Sequence, residues 1–387
     1  MPTNSGPLRS LHLDSSMRTL LFCFISTLGW LWQLNAQAAE TWNYPYWHLS
    51  DYFAAHPEQK ILSDALAQTV SAPAVALTSP PSNPVKIMIV QPGNQVSGYW
   101  KTNADVISQR LNELQIPFTL HVFNLRPDEP PRQQEAKLAL ALNQHPDYLI
   151  TTLDSMPDKK MLDRVLIDGK TKLILQNITT PLKEWDTPKP LMYVGFDHEL
   201  GTQLLADHYL TILPKHSRFS VVYWLPGYVS QTRGDTFINQ MEQKGEWQLL
   251  SAFYTEGTRS SAYQTTERIL AQSPQPSMIF AAATDLAVGI SDALAHHSTQ
   301  HGTVLLNGWG GGDKELEMLK QGLIEATVMR MNDDSGIAIA EAIHLDLQHQ
   351  PVPQVFSGKM VLVTSHTPAT ELQSLRQHAF RYSGIQQ

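Results

Sequence analysis

The chain has 387 residues, a formal net charge of −8 and 42% hydrophobic residues. This length allows two domains, each with its own hydrophobic core, and the composition excludes fibrous and disordered proteins. The acidic balance argues against a general nucleic-acid-binding protein, which would carry a basic stripe.

Residues 1–38 have the pattern of a secretory signal peptide. Met17-Arg18 forms a short positive region, residues 20–34 are mostly apolar, and Ala36-Gln37-Ala38 is a small-residue cleavage site. We predict cleavage after Ala38, with Met17 as an alternative start of translation. The apolar run is shorter than the roughly 20 residues that span a bilayer, so a membrane anchor is the less favoured alternative.

The single cysteine, Cys23, lies inside this predicted signal peptide. The mature chain would then have no thiol, which excludes disulfide bonds, a cysteine nucleophile and cysteine-bound zinc. An exported, acidic protein without cysteine is consistent with the bacterial periplasm, which is the predicted location.

Residues 39–84 are rich in aromatic side chains at first and end in Thr78-Ser79-Pro80-Pro81-Ser82-Asn83-Pro84. This proline-rich end cannot continue a helix or pair as a central strand. We interpret residues 39–84 as an N-terminal extension and linker.

Beyond residue 84, apolar segments typical of buried strands alternate with helical patterns. The predicted strands are 86–90, 118–123, 147–152, 171–176, 191–195, 218–223, 248–253, 277–281, 303–307 and 325–330. The predicted helices are 101–115, 132–144, 158–168, 199–212, 231–244, 260–272, 285–296, 313–322 and 335–348. This alternation predicts an α/β fold with two doubly wound parallel-sheet lobes and a ligand cleft between them.

We predict that the chain crosses between lobes at the proline-bearing connection 181–190, and twice more near 332–334 and 357–358. The predicted N-terminal lobe is 85–181 plus 332–356, and the C-terminal lobe is 182–331 plus 357–387. Ligands of such sheets bind at the carboxyl ends of the strands, so strand ends from both lobes would face one cleft.

The first strand ends in a polar turn that carries three candidate site residues. The apolar run Ile87-Met88-Ile89-Val90 stops abruptly at Gln91-Pro92-Gly93, and a helical pattern follows from residue 101. Gln95, Ser97 and Trp100 would therefore lie where a buried strand feeds a helix.

Two arginines stand at other predicted strand and helix edges. Arg330 ends the strand 325–330, and Arg233 lies at the start of a helix. Each could simply pair with an aspartate. Two arginines that converge on one cleft would instead favour an anionic ligand through charge-assisted hydrogen bonds.

Thr284-Asp285 follows an apolar strand and opens a helix. Asp285 could be a helix N-cap, or its carboxylate could accept hydrogen bonds from two vicinal hydroxyls of a polyol. Trp100 and Trp309 flank polar turns, where an indole is either core packing or a flat wall with one donor for a small cyclic polyol.

The motifs of common enzyme classes are missing from the sequence. We find no G-x-S-x-G, no P-loop and no H-E-x-x-H pairing, and the glycine-rich segment 308–313 does not match G-x-G-x-x-G. We therefore predict no catalytic residue, no metal site and no enzymatic activity.

Six segments together resemble one known family. They are residues 95–100 (QVSGYW), 175–181 (LQNITTP), 193–198 (YVGFDH), 233–238 (RGDTFI), 307–312 (NGWGGG) and 328–334 (VMRMNDD). In these segments the chain resembles the LuxP family of periplasmic autoinducer-2-binding proteins of quorum sensing. The resemblance covers almost all of the predicted mature chain.

The resemblance implies a type I periplasmic binding protein, similar to ribose-binding proteins, with three crossings between its lobes. It implies autoinducer-2 as a furanosyl borate diester for the ligand, no cofactor apart from that boron, and lobe closure on binding. It also implies a partner, the periplasmic domain of an inner-membrane hybrid sensor kinase of the LuxQ type. The implied ligand-binding residues are Gln95, Ser97, Trp100, Asn177, Arg233, Thr284, Asp285, Trp309 and Arg330.

The sequence departs from the family at Ala283, where the family pattern has serine. Three alternatives to a signal receptor stay open. The first is a sugar-binding component of a pentose or hexose transport system, which shares the fold and Asp285. The others are a periplasmic sugar-acting enzyme and a transcription regulator of related fold, although a signal peptide and acidic charge disfavour the regulator.

Overall fold

The apolar segments form parallel strands that alternate with amphipathic helices. The computed structural model describes residues 46–93, 95–126, 129–153, 156–297 and 304–386. The predicted signal peptide, residues 1–38, lies outside the described residues. The strands are β1 Val85–Pro92, β2 Phe118–Leu125, β3 Tyr148–Thr151, β4 Lys172–Gln176, β5 Met192–Gly195, β6 Arg218–Tyr223, β7 Gln248–Tyr254, β8 Met278–Ala281, β9 Leu305–Leu306, β10 Ala326–Arg330, β11 Val355–Ser357 and β12 Met360–Thr364.

Helices connect most of these strands, and a 3₁₀ turn, Ser383–Gln386, follows the last of them. The helices are α1 Leu49–Ala55, α2 Pro57–Ser71, α3 Tyr99–Glu113, α4 Pro131–Leu142, α5 Met156–Asp168, α6 His198–Ile212, α7 Tyr228–Gly245, α8 Arg259–Leu270, α9 Thr284–His296, α10 Asp313–Lys320, α11 Asp334–Leu347 and α12 Ala369–Ala379.

The first sheet has six parallel strands in the order β11-β5-β4-β3-β1-β2. Successive side chains of a strand point to opposite faces, so both faces must be covered when all of them are apolar. In β1, Ile87 and Ile89 pack into one buried cluster with α3 and α11, while Met88 and Val90 pack into another with α4 and α5. The first lobe is therefore doubly wound.

The second sheet has four parallel strands in the order β7-β6-β8-β9, and β10 pairs antiparallel with β12 beside it. Parallel bridges from Asn307 to Ala326 and from Gly310 to Met329 join the two parts. One large cluster of buried side chains covers this second lobe. The predicted α/β fold with parallel sheets is confirmed.

The predicted first crossing is wrong. The sequence pattern places residues 182–195 in the second lobe, but β5 pairs in parallel with β4, with Ile174 opposite Met192, and thus belongs to the first sheet. The proline-rich connection 181–190 is an ordinary loop between neighbouring strands. The chain leaves the first sheet only after Gly195.

The C-terminal strands β11 and β12 were not predicted as strands. β11 completes the first sheet, whereas β12, only two residues later, belongs to the second. The chain thus changes sheet at Gly358 and Lys359.

The described part of the predicted extension and linker, from residue 46 on, packs against the first lobe. Leu66 and Val70 of α2 are buried in the cluster that also contains Ile87. The backbone N–H of Leu77 donates to the carbonyl of Leu114 at 2.8 Å, which fixes the segment after α2. Over the part of the chain that the structure describes, no helix combines the length and apolarity that a membrane span requires.

Candidate ligand-binding site

A cavity of about 440 Å³ lies where strand ends of the two sheets face each other. The loops after β1 and β4 line it from the first lobe, and the loops and helix starts after β6, β8, β9 and β10 line it from the second. This is the position at which the carboxyl ends of parallel strands hold ligands. It is lined by all nine predicted ligand-binding residues, Gln95, Ser97, Trp100, Asn177, Arg233, Thr284, Asp285, Trp309 and Arg330.

The turn after β1 bends sharply so that its side chains reach the cavity. Gly98 precedes α3 in the left-handed region, with φ of 65°, and Trp100 follows in the first turn of the helix. The indole Nε1–H of Trp100 donates to Oε1 of Gln95 at 3.0 Å. The indole therefore forms an apolar wall, and its donor holds the Gln95 amide in place.

Asp285 connects the two lobes. Its Oδ1 accepts a hydrogen bond of 3.1 Å from the backbone N–H of Val96 in the first lobe. The N-cap of α9 is Ala283, which makes no side-chain capping bond, so Asp285 does not serve as the N-cap. Burial raises the pKa of the Asp285 carboxyl, because a charge is harder to keep away from water.

Arg233 and Arg330 are both buried in the cavity wall, each with 6% of its surface exposed. The Arg233 guanidinium lies 3.5 Å from the centre of the Trp309 ring and donates from Nη1 to the carbonyl of Ala282 at 2.8 Å. The Arg330 guanidinium lies 4.3 Å from the centre of the Tyr99 ring. Among the described residues, neither arginine forms an ion pair with a carboxylate.

The two guanidinium charges repel each other. Burial lowers the pKa of both arginines, and the charge of Arg330 lowers that of Arg233 further. Nε of Arg330 is buried and has no hydrogen-bond partner within the described residues. The site therefore contains two buried positive charges and an unused donor.

His198, at the start of α6, was missed by the sequence analysis. Its Nδ1 accepts from the Arg233 guanidinium at 3.3 and 3.4 Å, and its Nε2 faces the carbonyl of Asn177 at 2.9 Å. Burial and then the charge of Arg233 hold its pKa well below 6.5, so the ring is neutral. With Nδ1 as the acceptor, Nε2–H donates to Asn177, and the ring fixes Arg233 in the cavity wall.

Trp309 forms the floor of the cavity in the second lobe. Its Nε1–H donates to Oγ1 of Thr202 at 3.2 Å, so the indole donor expected for a ligand is used within the protein. Thr284 is tied to the same loop, because its hydroxyl donates to the carbonyl of Trp309 at 3.3 Å. Trp309 therefore offers only apolar ring atoms to the cavity, and the Arg233 guanidinium lies over one face of the ring.

The glycine-rich loop 308–313 does not offer its backbone to a phosphate. The buried carboxylate of Glu315 accepts from the N–H groups of Trp309 at 2.9 Å and Gly311 at 2.7 Å. A phosphate would need these donors. The same loop is tightly packed, because a Cβ on Gly311, whose φ is 69°, would lie 2.3 Å from Cα of Met329.

A second, wider cleft of about 620 Å³ lies beyond Ser97 and Thr284. Its arginines are neutralised within the protein, since Arg376 pairs with Asp313 at 3.0 Å and Arg381 pairs with Asp334 at 2.6 Å. This cleft lacks the uncompensated charge of the first cavity.

Residues 87–351 match a known family, described as the periplasmic binding protein domain. The chain belongs to the periplasmic binding protein family. The match covers all or part of β1 to β10 and all the residues that line the cavity, and it ends before β11 and β12.

Solved structures of other periplasmic binding proteins share this fold. A solute-binding protein of an ABC transporter from Actinobacillus succinogenes, with bound D-allose, is 18% identical, with a TM-score of 0.63 over 76% of this chain and 100% of its own. One from Agrobacterium vitis, with bound D-fucose, is 16% identical, with a TM-score of 0.67 over 74% and 98%. The fructose-binding periplasmic domain of a hybrid two-component system is 15% identical, with a TM-score of 0.67 over 78% and 96%.

Proposed function

We propose that this periplasmic binding protein is a receptor for autoinducer-2 in its furanosyl borate diester form. The observation that supports this most directly is the pair of buried guanidiniums, Arg233 and Arg330, without a carboxylate partner among the described residues. A tetrahedral borate ester carries a negative charge. Bound between the arginines, it would supply the ion-pair partner that neither has among the described residues, where the Glu315 carboxylate favours both charges without such a pair.

The remaining cavity groups are suited to the sugar-like part of such a ligand. The carboxylate of Asp285 accepts hydrogen bonds, and Oδ1 of Asn177 is buried without a partner within the described residues. Trp100 and Trp309 supply apolar walls for a small ring. Ala283 lines the cavity without a hydroxyl, so any hydrogen bond to the ligand from this residue comes from its backbone.

Binding would act through lobe closure. Contacts from both lobes to one ligand make the closed arrangement bind more tightly, so the ligand shifts the population toward it. The hydrogen bond between Val96 and Asp285 would be part of that arrangement. On this proposal, a hybrid sensor kinase of the LuxQ type recognises the surface of the closed protein. The protein binds its solute without chemical turnover.

A second candidate is a sugar-binding component of a transport system. The bound sugars named for several similar structures favour it, as does Asp285, which suits any vicinal diol. A neutral pentose or hexose would leave the two arginines uncompensated, which is why we prefer the anionic ligand.

The test is to purify the protein from cells that make autoinducer-2, release the bound molecule by heating, and analyse it by boron NMR and a reporter bioassay. We expect a boron signal together with bioactivity. Release of an inactive sugar would refute the proposal and support transport. An active molecule without boron would refute the borate form, and tighter binding of ribose than of autoinducer-2 would refute the choice of ligand.

A further inference from the structure

We propose that the second lobe binds a divalent first-row transition-metal ion, such as Zn²⁺, through Glu267, His296 and His297. One ligand atom from each of these residues lies within 4.8 Å of the other two. Among the described residues this is the one group of three histidine, cysteine, aspartate or glutamate side chains that meets this distance condition. It lies outside the candidate ligand cavity and does not depend on the proposed function.

Two helices hold the three side chains in place. Glu267 lies in the last turn of α8, His296 is the last residue of α9, and His297 follows it. The helices approach closely, because a Cβ on Gly289 of α9 would lie 2.2 Å from the carbonyl oxygen of Arg259. The Arg259 guanidinium also donates to the Asp292 carboxylate at 2.5 and 2.9 Å, which joins α8 and α9 again.

To bind a metal ion, the three side chains would have to change their spacing, and His296 Nδ1 would give up its 3.1 Å hydrogen bond with the Tyr263 hydroxyl. His297 Nε2 lies 2.9 Å and His296 Nδ1 lies 4.0 Å from Oε1 of Glu267. Metal bonds of about 2.0–2.2 Å place tetrahedral ligand atoms roughly 3.4 Å apart, between these two values. His296 has 71% of its side chain exposed, which leaves space for water as a fourth ligand.

The donor set determines the class of ion. Two imidazole nitrogens and one carboxylate suit zinc, nickel and copper, whereas magnesium and calcium prefer oxygen ligands alone. The ion would replace the proton between His297 Nε2 and Glu267, and a neutral His297 ring would then carry its proton on Nδ1. A simple ion pair between His297 and Glu267 would not require His296.

Histidine spacings along the chain do not indicate this site, so the sequence predicts no metal there. The third ligand, Glu267, is 29 positions before His296 and on a different helix. Only the packing of α8 against α9 brings them together.

The experiment uses tag-free, chelator-treated protein and measures zinc binding by competition with a chromophoric chelator. We expect one zinc ion per chain, and at least about tenfold weaker binding in His296→Ala, His297→Ala and Glu267→Gln. The matched control is His216→Ala. His216 is an exposed histidine 3.8 Å from Glu246, in a single histidine–glutamate pair, and we expect no change there.

Three outcomes would overturn the proposal. These are no zinc binding by the wild-type protein, equal affinity in His296→Ala, or displacement of zinc by millimolar magnesium chloride. His296→Ala is decisive even if His297→Ala folds poorly, because the exposed His296 side chain contributes little packing.

Discussion

Replacement of Arg330 by methionine should strengthen the fold without ligand while it weakens ligand binding. The guanidinium is buried, its pKa is lowered by burial, and its Nε has no partner among the described residues. Methionine fills a similar volume, keeps contact with the rings of Tyr99 and Phe196, and removes the charge. The stability of the ligand-free protein and its affinity for the ligand should therefore change in opposite directions.

The structure allows a rough magnitude for each effect. A buried ion without a partner costs several kcal/mol, while stacking on Tyr99 and Phe196 returns about 0.5–2 kcal/mol. We expect Arg330→Met to raise the free energy of unfolding without ligand by about 1–2 kcal/mol. Loss of a charge-assisted hydrogen bond costs about 1.5–3 kcal/mol, which corresponds to about tenfold to a hundredfold weaker binding.

Urea unfolding of ligand-free protein measures the first effect, and calorimetry with autoinducer-2 in borate buffer measures the second. Arg330→Lys is the matched control, because it keeps the charge and loses the planar fork, and it should not gain stability. Unchanged affinity in Arg330→Met would refute the anionic-ligand argument. Lower stability without ligand would refute the claim that the charge is uncompensated.

Three further predictions concern the same site. Asp285→Asn should weaken binding by tenfold or more in calorimetry, since it removes the charged acceptor that now holds the N–H of Val96; unchanged affinity would contradict its role. His198 has a pKa well below 6.5, so only the unfolded chain takes up its proton as pH falls below 6.5, and the free energy of unfolding should fall there by up to about 1.4 kcal/mol per pH unit. His198→Gln should flatten that dependence in urea titrations from pH 7.5 to 5, and an identical slope would contradict the assignment. Gly311→Ala should lower stability by more than about 1 kcal/mol, because its φ of 69° and the adjacent strand leave no room for a Cβ; a stable variant would show that the loop can move.

Most of the sheet could be predicted because buried parallel strands are continuous apolar runs. All ten predicted strands overlap strands of the structure, and residues placed at their ends line one cavity. β11 and β12 were not predicted because only Gly358 and Lys359 separate them and no helical segment lies between them. β11 pairs with β5 of the first sheet and β12 pairs with β10 of the second lobe. A local sequence pattern does not show which sheet a strand joins.

The first crossing was misplaced for a related reason. Proline residues in 181–190 show that the connection is irregular, but not whether the next strand pairs with the previous one or leaves the sheet. β5 pairs with β4, and the crossing follows Gly195. At Gly195 a Cβ would lie 2.9 Å from Cα of Asn177. The close approach of the two strand ends therefore requires glycine at this position.

Two acids of the second lobe, Asp285 and Glu315, form hydrogen bonds elsewhere, although the charge of Glu315 does raise the pKa of both arginines. Asp285 is turned toward the N–H of Val96, and Glu315 is held by the loop N–H groups of Trp309 and Gly311. Each acid therefore has a structural task that fixes it away from the guanidiniums. In the described arrangement both guanidiniums are buried without an ion-pair partner, so the ligand-free protein carries an electrostatic cost. On the proposed function, an anionic ligand removes this cost when it binds, so the same two side chains lower the stability of the free protein and raise its affinity for the ligand.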